Sequence, residues 1–410
     1  LNNLPSHLIG VNAFYNSINN KIFICGGLNS NFISTDTCYW YDITSNTFQI
    51  ASYLPQGRWA GKLVKVKNDL FLISSRASST GLPDGIVYKY SLLNNIWSVY
   101  DTMPLQKVYE SAVSVLNDSL IIIIGGSTNG FIQPKNNVWV YNPFNNNWIQ
   151  TSSIPVNITT AHSEIYESEN DTSIFVYGGY NSSGFLNTVY KGRIFYLNDT
   201  LRINWSLFTY TPDGIGAYRV SGAKWKDDLL FGPAMNSSLS LNNIWGLSFS
   251  EETGYWTKFT PGTIDTTANI SSFAVKSDLD SNYFYVFGGF KNPNFLNAAQ
   301  RYSFKTPPPI KIINNQHNIP ASFKLYQNYP NPFNPNTKIK FDYLKLNNLN
   351  EVILKIYDIS GKILYHYIFT NLKTGTYEIE IDMQNCSSGI YFYSLADGNS
   401  IKTQKMILIK

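Results

Sequence analysis

A pair of glycines closing an apolar run recurs through the first three hundred residues. Intact copies run from Ile22 to Gly27, Ile121 to Gly126, Ile174 to Gly179 and Tyr283 to Gly289. Degenerate copies, Leu70 to Ser75 and Leu229 to Pro233, fall where the period requires them. The first residue of each pair lies at 26, 74, 125, 178, 232 and 288, giving spacings of 48, 51, 53, 54 and 56. A repeat of that length made only of short strands predicts an all-β ring of sheets, a β-propeller of six blades, and argues against a solenoid or a single sandwich.

The third copy shows the unit most clearly. Ser111 to Val115 reads as a first strand and Ser119 to Ile124 as a second, ending in Gly125-Gly126. Asn137 to Pro143 reads as a third, Asn145-Asn146-Asn147 as a turn, and Trp148-Ile149 as a fourth. Glycine after the second strand permits positive φ and close backbone approach. The aromatic of the fourth strand (Phe48, Trp97, Trp148, Trp205, Trp256) is placed to cover the outer seam between neighbouring sheets. A Leu, Met or Ile followed by Pro precedes each unit at Leu4-Pro5, Leu54-Pro55, Met103-Pro104 and Ile154-Pro155. By that register the last blade stops after its third strand, Gln300 to Phe304. An open edge invites pairing, so the expected fourth strand either precedes Leu1 or is supplied by Ile310–Ile313. The chain starts without an initiator Met or signal peptide, and is read as a processed or truncated form.

Paired glycines, a Tyr some fifteen residues on and a Trp shortly after it resemble the kelch repeat. The resemblance covers residues 1–305 and implies four-stranded antiparallel blades around a central channel, with binding on one face. It is weakest at Ser74-Ser75 and Gly232-Pro233-Ala234.

Composition narrows the partners. Charged residues are only 14% of the chain and the net charge is +4. Residues 1–321 carry 21 basic against 20 acidic groups, the remainder 10 against 7. Neither part has the one-sided field that nucleic acid or an anionic membrane requires. No apolar run is long enough to span a bilayer. Of three cysteines, Cys25 and Cys38 fall on adjacent strands of one blade, as a disulfide or as two buried thiols, and Cys386 has no sequence partner.

Thr306-Pro307-Pro308-Pro309 opens a stiff spacer over 306–321. Residues 322–410 then show alternating strands of five to seven residues between turn clusters. That spacing predicts a small seven-stranded immunoglobulin-like β-sandwich. Its entry phrase, Leu325 to Thr337, contains Asn331-Pro332-Phe333-Asn334-Pro335. With Gly361 in Ile356 to Lys362, Gly389 in Ser388 to Tyr393, and the terminal Lys405 to Lys410, it resembles the type A sorting domain of type IX secretion. Membership implies export by that machinery, with the protein left on the outer-membrane surface of a diderm bacterium of the Bacteroidota or related phyla, or released from it.

The chemistry-bearing residues are few. There are four histidines, with no His-x-x-x-His or Cys-x-x-Cys, so no metal site and no cofactor is expected. His7 and His162 are read as equivalent positions at the start of a first strand. Galactose oxidase also uses a kelch propeller, but its copper site needs paired His and a Tyr–Cys crosslink that this sequence does not supply. The stretch between each Pro step and the first strand borders the channel mouth in kelch propellers. It holds Arg58-Trp59, Lys107 with Tyr109-Glu110, His162 after Thr159-Thr160, and Tyr218-Arg219. Arg76 and Phe131, in loops after the second strand, are expected on the same face. Arg with aromatics suits an extracellular glycan or protein ligand through stacking faces and forked donors; the competing reading is that these side chains only fill the channel. The leading expectation is a secreted binding protein, more a binder than an enzyme. The alternatives are a carbohydrate-active enzyme of the sialic-acid mutarotase kind, in which Glu110 beside basic residues does acid–base work, and a purely structural surface component.

Overall fold

The structure, a computed structural model, describes residues 1–410 except 78–81, 130–132, 169–170, 226–227, 233, 238, 242–243, 251–252, 260–272, 278–281, 292–293, 305–309, 315–322, 345–350, 371 and 398–399. Phe131 and most of the expected spacer lie outside the described residues. The chain divides into two compact units, Leu1–Ile244 with Thr260–Phe304, and Trp245–Phe259 with Lys305–Lys410. The described residues are strands and loops throughout, with no helix long and apolar enough to cross a membrane.

The first unit is a succession of antiparallel sheets. Asn12–Asn16, Lys21–Cys25, Thr37–Asp42 and Thr47–Tyr53 form the first sheet in that order. The second runs Lys62–Val66, Asp69–Ile73, Ile86–Ser91, Ile96–Thr102, and the third Ala112–Leu116, Leu120–Ile124, Val138–Asn142, Asn147–Thr151. The fourth runs His162–Glu167, Thr172–Tyr177, Thr188–Leu197, Thr200–Tyr210. A fifth opens with Gly222–Trp225 against Asp228–Phe231, and a sixth shows three strands, Phe273–Ser277, Asn282–Phe287 and Ala299–Phe304. The first strand of each sheet neighbours that of the next, and the sixth neighbours the first, so these inner strands close a cycle.

Recurring sequence features have recurring jobs. Leu4, Leu54, Met103 and Ile154 of the Pro steps are buried, and each backbone N–H donates to a carbonyl in a loop after a second strand: Asn297, Asp36, Gly85 and Asn136. Tyr41, Tyr90 and Tyr141 donate their hydroxyls to Asn46, Asn95 and Asn146, which hold the turn between third and fourth strands at φ of 55°, 56° and 53°. Trp148 stacks on Tyr141 at 4.2 Å and donates from its indole to Asp101 of the preceding sheet at 3.0 Å, the seam-covering role expected of it. Apolar clusters fill the gaps between successive sheets, and one of them (Leu4, Leu8, Val11, Ile22, Tyr285, Phe287) joins the first sheet to the sixth.

The glycine pairs serve the same seams. A Cβ on Gly178 would sit 2.7 Å from the Ala217 carbonyl oxygen, which the N–H of Gly179 reaches at 2.6 Å. Gly27, Gly126 and Gly289 make the same bond to Arg58, Ile158 and Leu8. The second sheet solves the problem otherwise. Ser74 adopts φ 56°, and its hydroxyl lies 3.2 Å from the Val108 carbonyl and 2.6 Å from the Ser111 hydroxyl.

The second unit packs two sheets around one apolar core that includes Ile339, Phe341, Val352, Leu354, Ile379, Tyr393 and Met406. One sheet orders Ile310–Asn314, Gly375–Asp382, Asn336–Tyr343 and Lys324–Leu325. The other contains Ile363–Thr370, Glu351–Asp358, Gly389–Ala396 and Ile401–Leu408, and Thr253–Phe259 pairs beside Ile363–Thr370. The alternative closing strand is corrected here. Ile310, Lys311 and Ile312 pair with Ile379, Glu378 and Tyr377, so this segment extends the tail sheet and does not complete the sixth sheet of the ring.

Candidate functional site

Among the described residues, the one at which the chain turns into each of the first five inner strands lies in the left-handed region: Gly10 at φ 63°, Ala60 at 54°, Glu110 at 53°, Thr160 at 60° and Arg219 at 52°. Only the first is glycine, although this conformation is uncommon for other residues. A relay of backbone bonds holds the positions together. Ala60 donates to Gly10 (3.4 Å), Glu110 to Ala60 (3.2 Å), Thr160 to Glu110 (2.7 Å) and Val220 to Thr160 (3.3 Å). These bonds run from sheet to sheet around one end of the ring and use main-chain groups alone. Glu110 enters the third sheet and Arg219 the fifth, yet Arg219 Nε donates to Glu110 Oε1 at 3.3 Å, with side-chain exposures of 17% and 7%. The pair therefore reaches past the intervening Thr160.

Aromatic and apolar groups wall this pair. Trp59, Tyr109 and Tyr218 share a buried cluster with Ile9, Leu28, Ala60 and Met235. The Arg76 guanidinium carbon sits 4.5 Å from the Trp59 ring centre and 4.1 Å from that of Tyr109. Arg219 lies over Tyr218 at 5.6 Å, and Phe185 stacks on Tyr218 at 4.9 Å. The Trp59 indole nitrogen is buried with no hydrogen-bond partner among the described residues.

Other expected members are elsewhere. Arg58 is fully buried; its guanidinium donates to Asp84 (2.6 Å), Gln56 (3.0 Å) and the Tyr88 hydroxyl (2.6 and 3.1 Å). That network belongs to the second sheet and its approach, so Arg58 is removed from the mouth. Lys107 is exposed. His162 is the first residue of its inner strand, whereas exposed His7 precedes Leu8–Ile9; the two are not equivalent, and the sequence reading is corrected on that point.

A second polar layer lies on the inner strands themselves. His162 Nε2 is 2.8 Å from Glu164 Oε1, and burial pushes the imidazole pKa below its ordinary value against the pull of that carboxylate. Gly222 leaves room for the ring: a Cβ there would lie 2.6 Å from His162 Nε2. Lys62, first on the second sheet's inner strand, has its pKa pulled down to about 8 by burial, partly opposed by Glu164 and Glu110. The Ser114 and Ser163 hydroxyls, on neighbouring inner strands, meet at 2.8 Å. The sequence reading missed Lys62 and Glu164. The available signal was a charged residue in the innermost strand of a closed ring, where solvent exposure cannot explain it.

In the tail the proline-asparagine phrase clamps the final strand. Phe333 is buried and runs parallel to Leu408; its N–H donates to Ile407 (3.0 Å) and its carbonyl accepts from Ile409 (2.9 Å). Asn331 Oδ1 accepts from the Ile407 N–H at 2.9 Å, and the Pro335 carbonyl accepts from Met383 at 3.1 Å. Pro332 and Asn334 are exposed. Gly361 turns the chain at φ 84°, whereas the space around Gly389 would admit a side chain. The Lys410 backbone N–H donates to Ser388 Oγ at 2.9 Å and its ammonium to the Gln384 carbonyl. At the centre is Asn328, 2% exposed. Its Nδ2 donates to Thr337 Oγ1 (2.8 Å) and the Pro330 carbonyl (3.1 Å), and its backbone N–H to the Tyr393 hydroxyl (2.7 Å).

Comparison with known proteins agrees with this division. The Kelch motif family matches residues 12–55, and the Secretion system C-terminal sorting domain family matches residues 327–410. No curated protein matches the chain. A solved structure described as "Structure of YjhT" is similar at 11% identity and a TM-score of 0.51, over 73% of this chain and 95% of that one. The likeness is one of fold. The leaning toward a non-enzyme is withdrawn on that likeness. The first unit is thus a β-rich region with propeller character, and residues 327–410 are a secretion-system C-terminal sorting domain, which makes the chain an exported protein handled by type IX secretion.

Proposed function

We propose that residues 1–305 form a six-bladed kelch-type propeller whose mouth is an acid–base site for a carbohydrate, of the mutarotase kind. In this reading the linker expected over 306–321 is interrupted by Ile310–Asn314, which joins the tail sheet, and 322–410 supplies the rest of an immunoglobulin-like sorting sandwich that sends the enzyme to the surface of a diderm cell or beyond it. The observation that carries the catalytic reading is the Glu110–Arg219 pair, held 3.3 Å apart across the mouth from two positions of left-handed backbone. Strained polar residues persist where the surrounding structure over-determines them, and they cluster at functional sites. The closed cycle of inner strands and the match to the Kelch motif support the blade count.

Changing the anomer of a sugar requires a proton to leave the anomeric hydroxyl while the ring oxygen gains one. The ring C–O bond then breaks to give an open-chain carbonyl, which rotates and closes on its other face. Glu110 is placed to take and return the hydroxyl proton. Arg219 pairs with that carboxylate and places its positive charge beside the ring oxygen as charge develops there. The Arg76 guanidinium, stacked on the buried rings of Trp59 and Tyr109, is the planar group placed to meet the apolar face of a pyranose. Lys62, titrating near 8, is a second group able to exchange protons near neutral pH.

The test is magnetisation transfer between α and β anomers of neutral and acidic sugars, at substrate excess, with wild-type and Glu110→Gln protein. Exchange faster than in buffer, lost in the variant, is the expected result. Saturable binding without faster exchange would remove catalysis and leave glycan recognition. Neither binding nor exchange across both sugar classes would end the carbohydrate reading.

A further inference from the structure

We propose that Cys25 and Cys38 are joined by a cross-strand disulfide in the exported protein, formed before the second sheet packs over them. The two residues are direct partners in the register of Lys21–Cys25 against Thr37–Asp42. One step further along, the Gly26 N–H donates to the Thr37 carbonyl at 3.3 Å. Antiparallel ladders alternate, so that bond makes Cys25 and Cys38 a non-hydrogen-bonded pair, the kind whose Cα atoms approach to about 4.5 Å. This lies within the span a disulfide bridges. In the structure both are free thiols, with Cys38 Sγ donating to the Asp36 carbonyl at 3.7 Å, and the neighbouring Cys38 together with burial holds the Cys25 pKa well above the usual thiol value.

Both side chains are fully buried, in a cluster with Phe23, Leu54, Leu70, Leu72, Tyr88 and Trp97. Most of those partners come from the second sheet. Once it docks, no oxidant reaches the sulfurs and the Cys25 thiol resists ionisation, so the bond must form while the first sheet is still uncovered. The sorting domain supplies the compartment: an exported chain crosses an oxidising space in which disulfides form and persist. The oxidant is a protein disulfide of that compartment. One thiolate attacks it to give a mixed disulfide; the second displaces the carrier, which leaves as a dithiol, and the two cysteine protons are released. Cys386, half-buried and in the other unit, takes no part.

The full chain, recovered from outside the exporting cell, is denatured with iodoacetamide present, digested, and read by mass before and after reduction. The expected result is a linked pair of peptides carrying Cys25 and Cys38, lighter than their sum by two hydrogens, with Cys386 alkylated at once. Alkylation of all three cysteines without reductant would overturn the bond. Its timing is tested separately on reduced protein. Given oxidised glutathione, folded protein should form the bond about tenfold more slowly, or worse, than protein refolded in the same buffer. Equal rates would overturn the order of events. The double variant Cys25→Ala/Cys38→Ala should reach the same fold by circular dichroism while losing several degrees of melting temperature relative to the oxidised wild type. An unchanged melting temperature against the oxidised form, with equal values for oxidised and reduced wild type, would show that no constraining bond exists.

Discussion

The two units bury polar groups on opposite terms. In the tail, Asn328 and Thr337 are buried and answered on every side, by Pro330, Tyr393, Gln327 and each other. In the ring, Glu110 and Arg219 face each other from left-handed backbone, and Lys62 sits within reach of two carboxylates with its proton held loosely. A satisfied buried network fixes one arrangement and is hard to use for anything else. Charges held in strained or poorly solvated places store what binding or proton transfer can release. The contrast separates a region built to be recognised as one shape from a region built to act on something else.

The largest effect is expected where the strained pair is broken. Glu110→Gln should lower anomer exchange about a hundredfold or more while the melting temperature moves little, measured by magnetisation transfer and calorimetry on the same sample. A large loss of stability with unchanged turnover per folded molecule would turn the pair into a structural clasp, like the one in the tail. Next is Asn328→Ala. Losing the side-chain bonds to Thr337, Pro330 and Gln327 at a buried position should cost about 2–3 kcal/mol in denaturant titration of the full chain. The loss should fall in the transition that unfolds the tail and leave anomer exchange intact.

Lys62→Met sharpens the contrast through pH. The folded value is about 8 and the ordinary value 10.5, so the unfolded chain holds a proton that the folded one has lost between those limits. Wild-type stability therefore rises with pH across that window, and the burial penalty is fully present only below about 8. The variant should melt a few degrees higher than wild type at neutral pH, and the gap should close as pH approaches 10.5. A pH-independent gap would mean that the ammonium carries no burial penalty. The smallest effect is reserved for Ser74→Ala, which keeps the left-handed Cβ and removes the hydroxyl bonded to Val108 and Ser111. It should cost about 1 kcal/mol, read by thermal melting, whereas Ser74→Gly should cost less, because glycine restores the solution used in the other seams.

Much of the fold was legible because it repeats. The Pro steps, the glycine pairs and the Tyr-to-Asn turns each recur at positions the period fixes, and each does the same job in successive sheets. The tail was legible for the opposite reason: one distinctive phrase whose residues grip a final strand. The mouth was half legible. Arg58 and Trp59 are adjacent, and neighbours in extended chain point to opposite sides, so only one of them could face the opening. Tyr109-Glu110 and Tyr218-Arg219 escape that rule because the second residue of each takes positive φ and swings its side chain back beside the first. Nothing in residue type announces such a backbone switch when the residue is Glu or Arg. Lys62 and Glu164 were hidden by their setting, since both are half-buried and a charge on an alternating strand reads as an ordinary half-exposed position.

The relay of bonds around the ring uses the carbonyl of Gly10, the N–H and C=O groups of Ala60, Glu110 and Thr160, and the N–H of Val220. Residues as different as Gly, Ala, Glu, Thr and Arg stand at the matching turns. The turns behave as interchangeable sockets on a common rim. Randomising positions 60, 110, 160 and 219 together would vary the chemistry presented by the opening while the scaffold beneath keeps its pattern of main-chain bonds, which makes this ring a ready starting point for selecting new ligands on a protein that already carries its own export tag.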